Sequence, residues 1–437
     1  MTFRSLRRRQ VATVSLLFVG YAALYFCRAD LSVATPMLID ELGKRGMPSP
    51  EATIQMGRIA SFGVLAYAAG KLFLGGLGDY WGGRVSFLIG LAGATLFTGL
   101  FTVGGVLPVF TMAWIGNRLT QSLSWAGLIK VSSKWFDYTS YGGIIGIVSV
   151  SYLVGDAVAR QCMGLLIHQG FSWRALFYFA AVVAGVCLLA NLLFLRESRA
   201  SLGFPEAKTN PLNVFHESVS RPQSVGALLW PLLRSRPFQL VCLLSLGCTI
   251  VRETFNMWTP FYLQNHLGYS TSDAAGMSAI FPGVGVVSVL LAGWLSDRLG
   301  MNGRSLLLFL GLAATVATLL LLMSMKPQAG RSVLPLIAIG ATAFCLLGPY
   351  SYLGGAFALD FGGKQGSAFA SGLIDGIGYL GGYVAGESVA RIAVSAGWQG
   401  VFVALAGVCA LSAVGAGYLL ALGHRAAKTA RSTPATT

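Results

Sequence analysis

The segment Gly75-Gly76-Leu77-Gly78-Asp79-Tyr80-Trp81-Gly82-Gly83-Arg84 has a counterpart in Gly293-Trp294-Leu295-Ser296-Asp297-Arg298-Leu299-Gly300, with Arg304 close behind. Each is a glycine-rich turn that carries an aspartate and then an arginine, and each joins two long apolar runs. The glycines allow a tight turn and close helix approach. The aspartate can accept hydrogen bonds from a neighbouring helix end and pair with arginine. Asp79, Arg84, Asp297, Arg298 and Arg304 are therefore candidate gating residues, set to control how the helices they join move. One device at equivalent places implies a chain built from two similar halves.

Working outward from these turns, apolar runs recur along the 437 residues, of which 55% are hydrophobic and only 11% charged. An ordinary soluble domain is roughly a quarter charged. A run of about 20 apolar residues crosses the ~30 Å hydrocarbon core as a helix, which satisfies its own backbone there. Spans are expected at 12–38, 53–77, 84–106, 109–130, 141–166 and 172–195, and again at 238–263, 273–296, 305–325, 333–358, 367–390 and 399–422. The chain reads as an all-α membrane protein with twelve transmembrane helices in two pseudo-symmetric six-helix bundles. The bundles are 1–195 and 237–437, the second with a tail, and 196–236 is a polar linker. A soluble enzyme, a nucleic-acid binder and a disordered tail protein are excluded.

The net charge of +15 is spread over short loops, tails and a few positions inside spans. Arg84, the linker, Arg298, Arg304 and the basic residues of both termini fall on one side, which the positive-inside rule makes the cytoplasm. The first segment runs past an arginine without a small-residue cleavage pattern, so it reads as a permanent span and not a secretory signal. The seven cysteines are odd in number and lie in apolar runs, which argues against a disulfide framework. The four histidines are scattered, and no nucleophile stands with a base, so neither an enzyme nor a cofactor is expected.

Charges inside the spans point to function. Arg28 interrupts the first span and Arg252 the seventh, the equivalent helix of the other half. A charge near the bilayer centre costs at least ~2.5–3.5 kcal/mol, so each arginine must face protein, water or an anion. A guanidinium matches carboxylate and phosphate oxygens bidentately. Arg28 and Arg252 are thus expected to clamp an anion. The structural alternative pairs Arg28 with Asp30 and Arg252 with Glu253, but residues adjacent or two apart do not share a helix face. Lys71 is either a third cavity cation or a residue reaching the interface. Asp375, in a glycine-rich stretch, is a proton carrier or a partner for Arg252 or Lys71. Asp156 and Arg160, four apart, form a same-face pair, and Arg118, Gln121 and Ser122 a buried polar cluster. Tyr25, Trp125, Tyr152, Trp258 and Tyr262 are candidate substrate contacts, with packing or interface anchoring as the plainer role.

The paired turns resemble the loop signature of the major facilitator superfamily, whose two bundles rock about a central site. Within it, Gly20-Tyr21-Ala22-Ala23-Leu24-Tyr25-Phe26 leading to Arg28, the Tyr67-to-Lys71 segment, and Arg252 followed by Trp258-Thr259-Pro260-Phe261-Tyr262 are similar to the organophosphate:phosphate antiporters. So are Gly348-Pro349 and Gly378-Tyr379-Leu380-Gly381-Gly382. The resemblance implies that Arg28 and Arg252 bind phosphate and that Lys71 is a basic residue of the cavity. It implies exchange of a phosphorylated metabolite for inorganic phosphate by a monomer in a bacterial inner membrane. Ala29, Tyr152, Met257 and Pro282 depart from the family's pattern, so the substrate does not carry over. The segments from Arg28 to Ala34 and from Arg118 to Gln121 are also similar to proton-coupled organic-anion symporters, a second reading in which Asp375 or Asp30 takes the proton. A sugar-phosphate sensor of transporter shape is a third.

Overall fold

The computed structural model describes residues 3–74, 81–103, 106–207, 230, 232–299, 303–325 and 332–432. The first half supplies α1 (Phe3–Lys44), α2 (Ser49–Leu74), α3 (Gly83–Val103), α4 (Leu107–Trp135), α5 (Tyr138–His168) and α6 (Trp173–Phe194). In the second half α7 (Arg236–Phe261) runs on into a π turn at Tyr262–His266, just past Pro260. A short helix, Thr271–Met277, leads into α8 (Ile280–Leu299), and α9 (Gly303–Ser324) follows. Next, α10 (Leu334–Tyr352) contains Pro349 and ends in a second π turn, Leu353–Phe357. Proline removes one ladder hydrogen bond and pushes the turn open, which fits both places. The stretch Ala358–Ser432 is divided into α11 and α12 at Gly397, whose φ of +68° favours glycine.

Each span expected from the sequence falls on helix over its described residues, to within a few residues at the ends. Nine helices among the described residues are long and apolar enough to cross a membrane. Helices α2 and α4, at 26 and 29 residues, are as long but more polar, because they face the space between the halves.

Helix α1 packs on α5 and α6, and α3 on α4 and α6; in the second half α7 lies against the Ala358–Ser432 stretch and α8 against α10. The halves meet along α2 with α11, α5 with α8 and α1 with α7. Small residues bring the backbones close there. A Cβ at Gly57 would lie 2.8 Å from the Gly386 carbonyl oxygen and 2.9 Å from the Ala390 Cβ. Among the described residues, the polar bonds between halves gather toward the end away from the chain termini. Arg58 meets Glu387 at 3.1 Å, the Ser61 hydroxyl donates to the Tyr383 carbonyl at 2.6 Å, and that of Ser272 to the Gly164 carbonyl at 2.8 Å.

On the opposite side the chain after α6 folds back on the first half. Glu197 accepts the backbone N–H of Gly83 at 3.0 Å and of Arg84 at 2.7 Å, and pairs with Lys134 at 2.6 Å. A carboxylate there meets the unpaired donors and the positive end of α3. Burial alone would raise this carboxyl, but the bonds from Lys134, Arg84 and Gly83 hold it below the usual glutamate range. A group depressed on folding stabilises the fold above its unfolded value of about 4.3 and loses that contribution as pH falls through the folded one. Glu197→Gln is therefore expected to lower Tm at pH 7 by about 1–2 °C. The difference from wild type should shrink below about pH 4; thermal scans at both pH values check it, and a gap that widens in acid overturns it.

Candidate functional site

Helix α1 bends at Cys27, where φ is −80° and ψ +16°, one residue before Arg28. Pro36 lies in the same helix, but the non-helical dihedrals fall at Cys27. The freed Cys27 carbonyl is met by the amide Nε2 of Gln121 on α4 at 3.3 Å. The same amide's Oε1 accepts Arg28 Nε at 2.7 Å, and its Nε2 also donates to Asn117 Oδ1 at 2.5 Å. Asn117 in turn donates to Thr98 Oγ1 at 2.7 Å. A side chain inserted into a helix ladder is a recognised cause of kinks. This chain of amides therefore sets both the bend and the direction of Arg28. Arg28 Nη1 donates to the Tyr25 hydroxyl at 3.0 Å, and the guanidinium sits over the Tyr67 and Tyr25 rings, 4.3 and 4.6 Å from their centroids.

Arg28, Tyr25 and Tyr152 open onto a cavity of about 80 Å³ between the halves, and Arg252 reaches the same cavity from α7. Since one water needs ~10–15 Å³ by this measure, there is room for about five to eight waters or one tetrahedral oxyanion. Arg252 lies over the Tyr350 ring at 4.8 Å and the Tyr379 ring at 5.6 Å, so each half offers a guanidinium backed by aromatic rings. Such stacking favours a partly desolvated cation while leaving its N–H edge for an anion.

The expectation that Arg252 and Glu253 pair poorly is corrected. Arg252 Nη2 lies 2.5 Å from Glu253 Oε1, with both side chains largely buried. The helix-face rule describes where Cβ atoms point, and a side chain as long as arginine folds back across that angle when both groups border one cavity. Arg252 Nε keeps no acceptor of its own. Asp30, by contrast, does not pair with Arg28. It is wholly buried and accepts the Leu31 N–H at 2.7 Å.

Lys71 and Asp375 meet across the halves at 3.2 Å, outside the cavity lining. Lys71 lies 5.3 Å from the Tyr67 centroid and 5.1 Å from that of Tyr379, rings that themselves touch edge to face at 5.0 Å. Asp156 and Arg160 pair at 3.1 Å as their spacing indicates. Arg160 also donates to Ser278 Oγ and to the Asn256 carbonyl, which makes it a strut between the halves.

The remaining aromatic candidates lie away from the cavity. Trp125 packs on Tyr21 at 5.2 Å. Trp258 is 1% exposed and spends its indole N–H on the Ala385 carbonyl at 3.1 Å. Tyr262 packs among Trp398, Phe402 and His266. Of the gating candidates, Asp79 and the side chain of Asp297 lie outside the described residues. Arg84 Nη2 donates to the Leu192 carbonyl at 2.7 Å, Arg298 stacks 4.0 Å from the Trp294 ring, and Arg304 sits in the first turn of α9. Sequence reasoning passed over Tyr67 and Tyr379 as ring partners of the cations. Their signal was positional: Tyr67 lies one turn from Lys71, and Tyr379 one turn from Asp375.

Residues 17–386 match the Major Facilitator Superfamily. The chain is 27% identical to a probable hexose phosphate transport protein of Chlamydia trachomatis, over 91% of this chain and 88% of that one. It is 24% identical to the glycerol-3-phosphate transporter of Bacillus subtilis, over 91% and 89%. Among solved structures it is similar to a bacterial homologue of the human lysosomal transporter Spinster, with a TM-score of 0.75 and 14% identity over 98% and 99% of the two chains. With a match over most of its length, paired loop motifs and two helical halves around a central cavity, this chain belongs to the Major Facilitator Superfamily.

Proposed function

We propose that this protein is a secondary active transporter that exchanges an organic phosphate ester for inorganic phosphate by alternating access. Its membrane is read as the bacterial inner membrane, with both termini in the cytoplasm. The observation that carries the reading is a guanidinium from each half, Arg28 and Arg252, on one cavity between them. The relatives that transport hexose phosphate and glycerol-3-phosphate support the same cargo class. In this reading Arg28 holds the phosphoryl group, oriented by Gln121 and Tyr25. Arg252 approaches from the other half, and Tyr152 and Tyr25 border the ligand. Lys71 and Asp375 bridge the halves beside the site, and the loops around Arg84, Arg298 and Arg304 guide their movement.

Cargo favours switching only if it is held differently in the two states. An anion joining Arg28 to Arg252 does that, because the cations of the two halves share it only when the halves are close. Proteoliposomes loaded with inorganic phosphate and treated with a proton ionophore are expected to take up labelled phosphate, and a panel of phosphate esters to compete. Uptake that needs a proton gradient and ignores internal phosphate would establish proton symport instead. Binding without net flux would establish a sensor.

A further inference from the structure

Four guanidinium groups line the cavity, those of Arg28, Arg118, Arg160 and Arg252, against two carboxylates, Asp156 and Glu253. Both carboxylates are taken: Asp156 by Arg160 and Glu253 by Arg252. Two positive charges remain, on Arg28 and Arg118, and both come from the first half. Arg28 has neutral partners in Gln121 and Tyr25. Arg118 has less. It is 5% exposed, its Nε is buried without an acceptor, and among the described residues no hydrogen bond or ion pair reaches its guanidinium. It lies 5.0 Å from the Tyr67 centroid, the ring that also backs Arg28, and 5.9 Å from that of Trp114. Asp30 is wholly buried and lines no part of the cavity; it lies within electrostatic reach of Arg118 but forms no hydrogen bond or ion pair with it among the described residues.

A buried guanidinium with no carboxylate bonded to it is costly, and a ligand that supplies the bonded charge offsets that cost. We propose that Arg118 is a ligand-directed cation of this cavity, and that with Arg28 it selects doubly charged anions, the fully ionised phosphate monoester, over singly charged ones. The proposal rests on the phosphate-ester reading and names the charge state of its cargo. A dianion matches the two uncompensated positive charges, whereas a monoanion leaves one bare in a site of low dielectric.

Two esters of one shape separate the charge states at pH 7.5. Methyl phosphate is mostly dianionic, its second ionisation lying near 6 as in other phosphate monoesters, whereas methyl sulfate carries a single charge. By calorimetry on the purified full chain, wild type is expected to bind methyl phosphate at least about tenfold more tightly than methyl sulfate, a gap of ~1.4 kcal/mol. Arg118→Gln should narrow the gap to about threefold or less, with the loss falling on methyl phosphate, and Arg118→Lys should restore most of it. Equal affinities in wild type overturn the proposal without recourse to any variant. A gap unchanged in Arg118→Gln, or a loss shared equally by both esters, overturns the role of Arg118. A wild type that binds neither ester overturns the phosphate-ester reading itself.

Discussion

Arg28→Lys is expected to reduce phosphate exchange by about a hundredfold or more while the protein still inserts and stays monodisperse. Lysine keeps the charge, so the loss measures geometry. The guanidinium spends Nε on Gln121 and Nη1 on Tyr25, and in the proposed function its remaining N–H groups would bind the oxyanion. An ammonium group has three donors on one atom and cannot be anchored at one end while presenting a planar fork at the other. Two charge-assisted hydrogen bonds lost or bent cost about 3–4 kcal/mol together. Arg252→Lys should cost less, because Glu253 already shares that guanidinium. Labelled phosphate exchange in proteoliposomes and calorimetric phosphate binding check both. An Arg28→Lys protein within threefold of wild type would remove Arg28 from the binding site.

Gly57→Val should slow turnover by a different route. The added Cβ would meet the Gly386 carbonyl and the Ala390 Cβ at under 3 Å, and neither can swing aside as a flexible side chain would. Overpacking of this kind costs about 1–3 kcal/mol. Here the penalty falls on the arrangement in which α2 and α11 touch at the end away from the termini. The population of that arrangement should drop by about five- to a hundred-and-fifty-fold, and exchange, which must pass through it, should fall at least about fivefold. Phosphate affinity in detergent should change little, since Gly57 borders no part of the cavity. Exchange rates near wild type would mean that the halves need not close at this contact.

The helices were legible because lipid leaves an apolar run of twenty residues one way to satisfy its backbone. The family was legible because glycine, aspartate and arginine recur in the same order in the two paired turns. Arg28 and Arg252 stood out by their cost in a span, and both reach the cavity. What local rules miss is a side chain's reach and its distant partners. Glu253 was set aside on helix geometry, although the length of arginine overrides it. Trp258 and Tyr262 looked like cavity aromatics, but their place is fixed by partners such as Ala385 and Trp398, more than a hundred residues on. Arg118 was seen as part of a polar cluster, and only the fold shows that nothing in the cluster accepts its protons.

The bend in α1 has a mechanical meaning. One carboxamide, that of Gln121, grips the loosened peptide of Cys27 with its nitrogen and the head of Arg28 with its oxygen. In the proposed function, cargo that draws on that arginine would pull, through a single side chain, on the joint that sets the helix's angle. On that reading recognition and flexing would share one fastener, so that the passenger is registered in the same motion that begins to carry it.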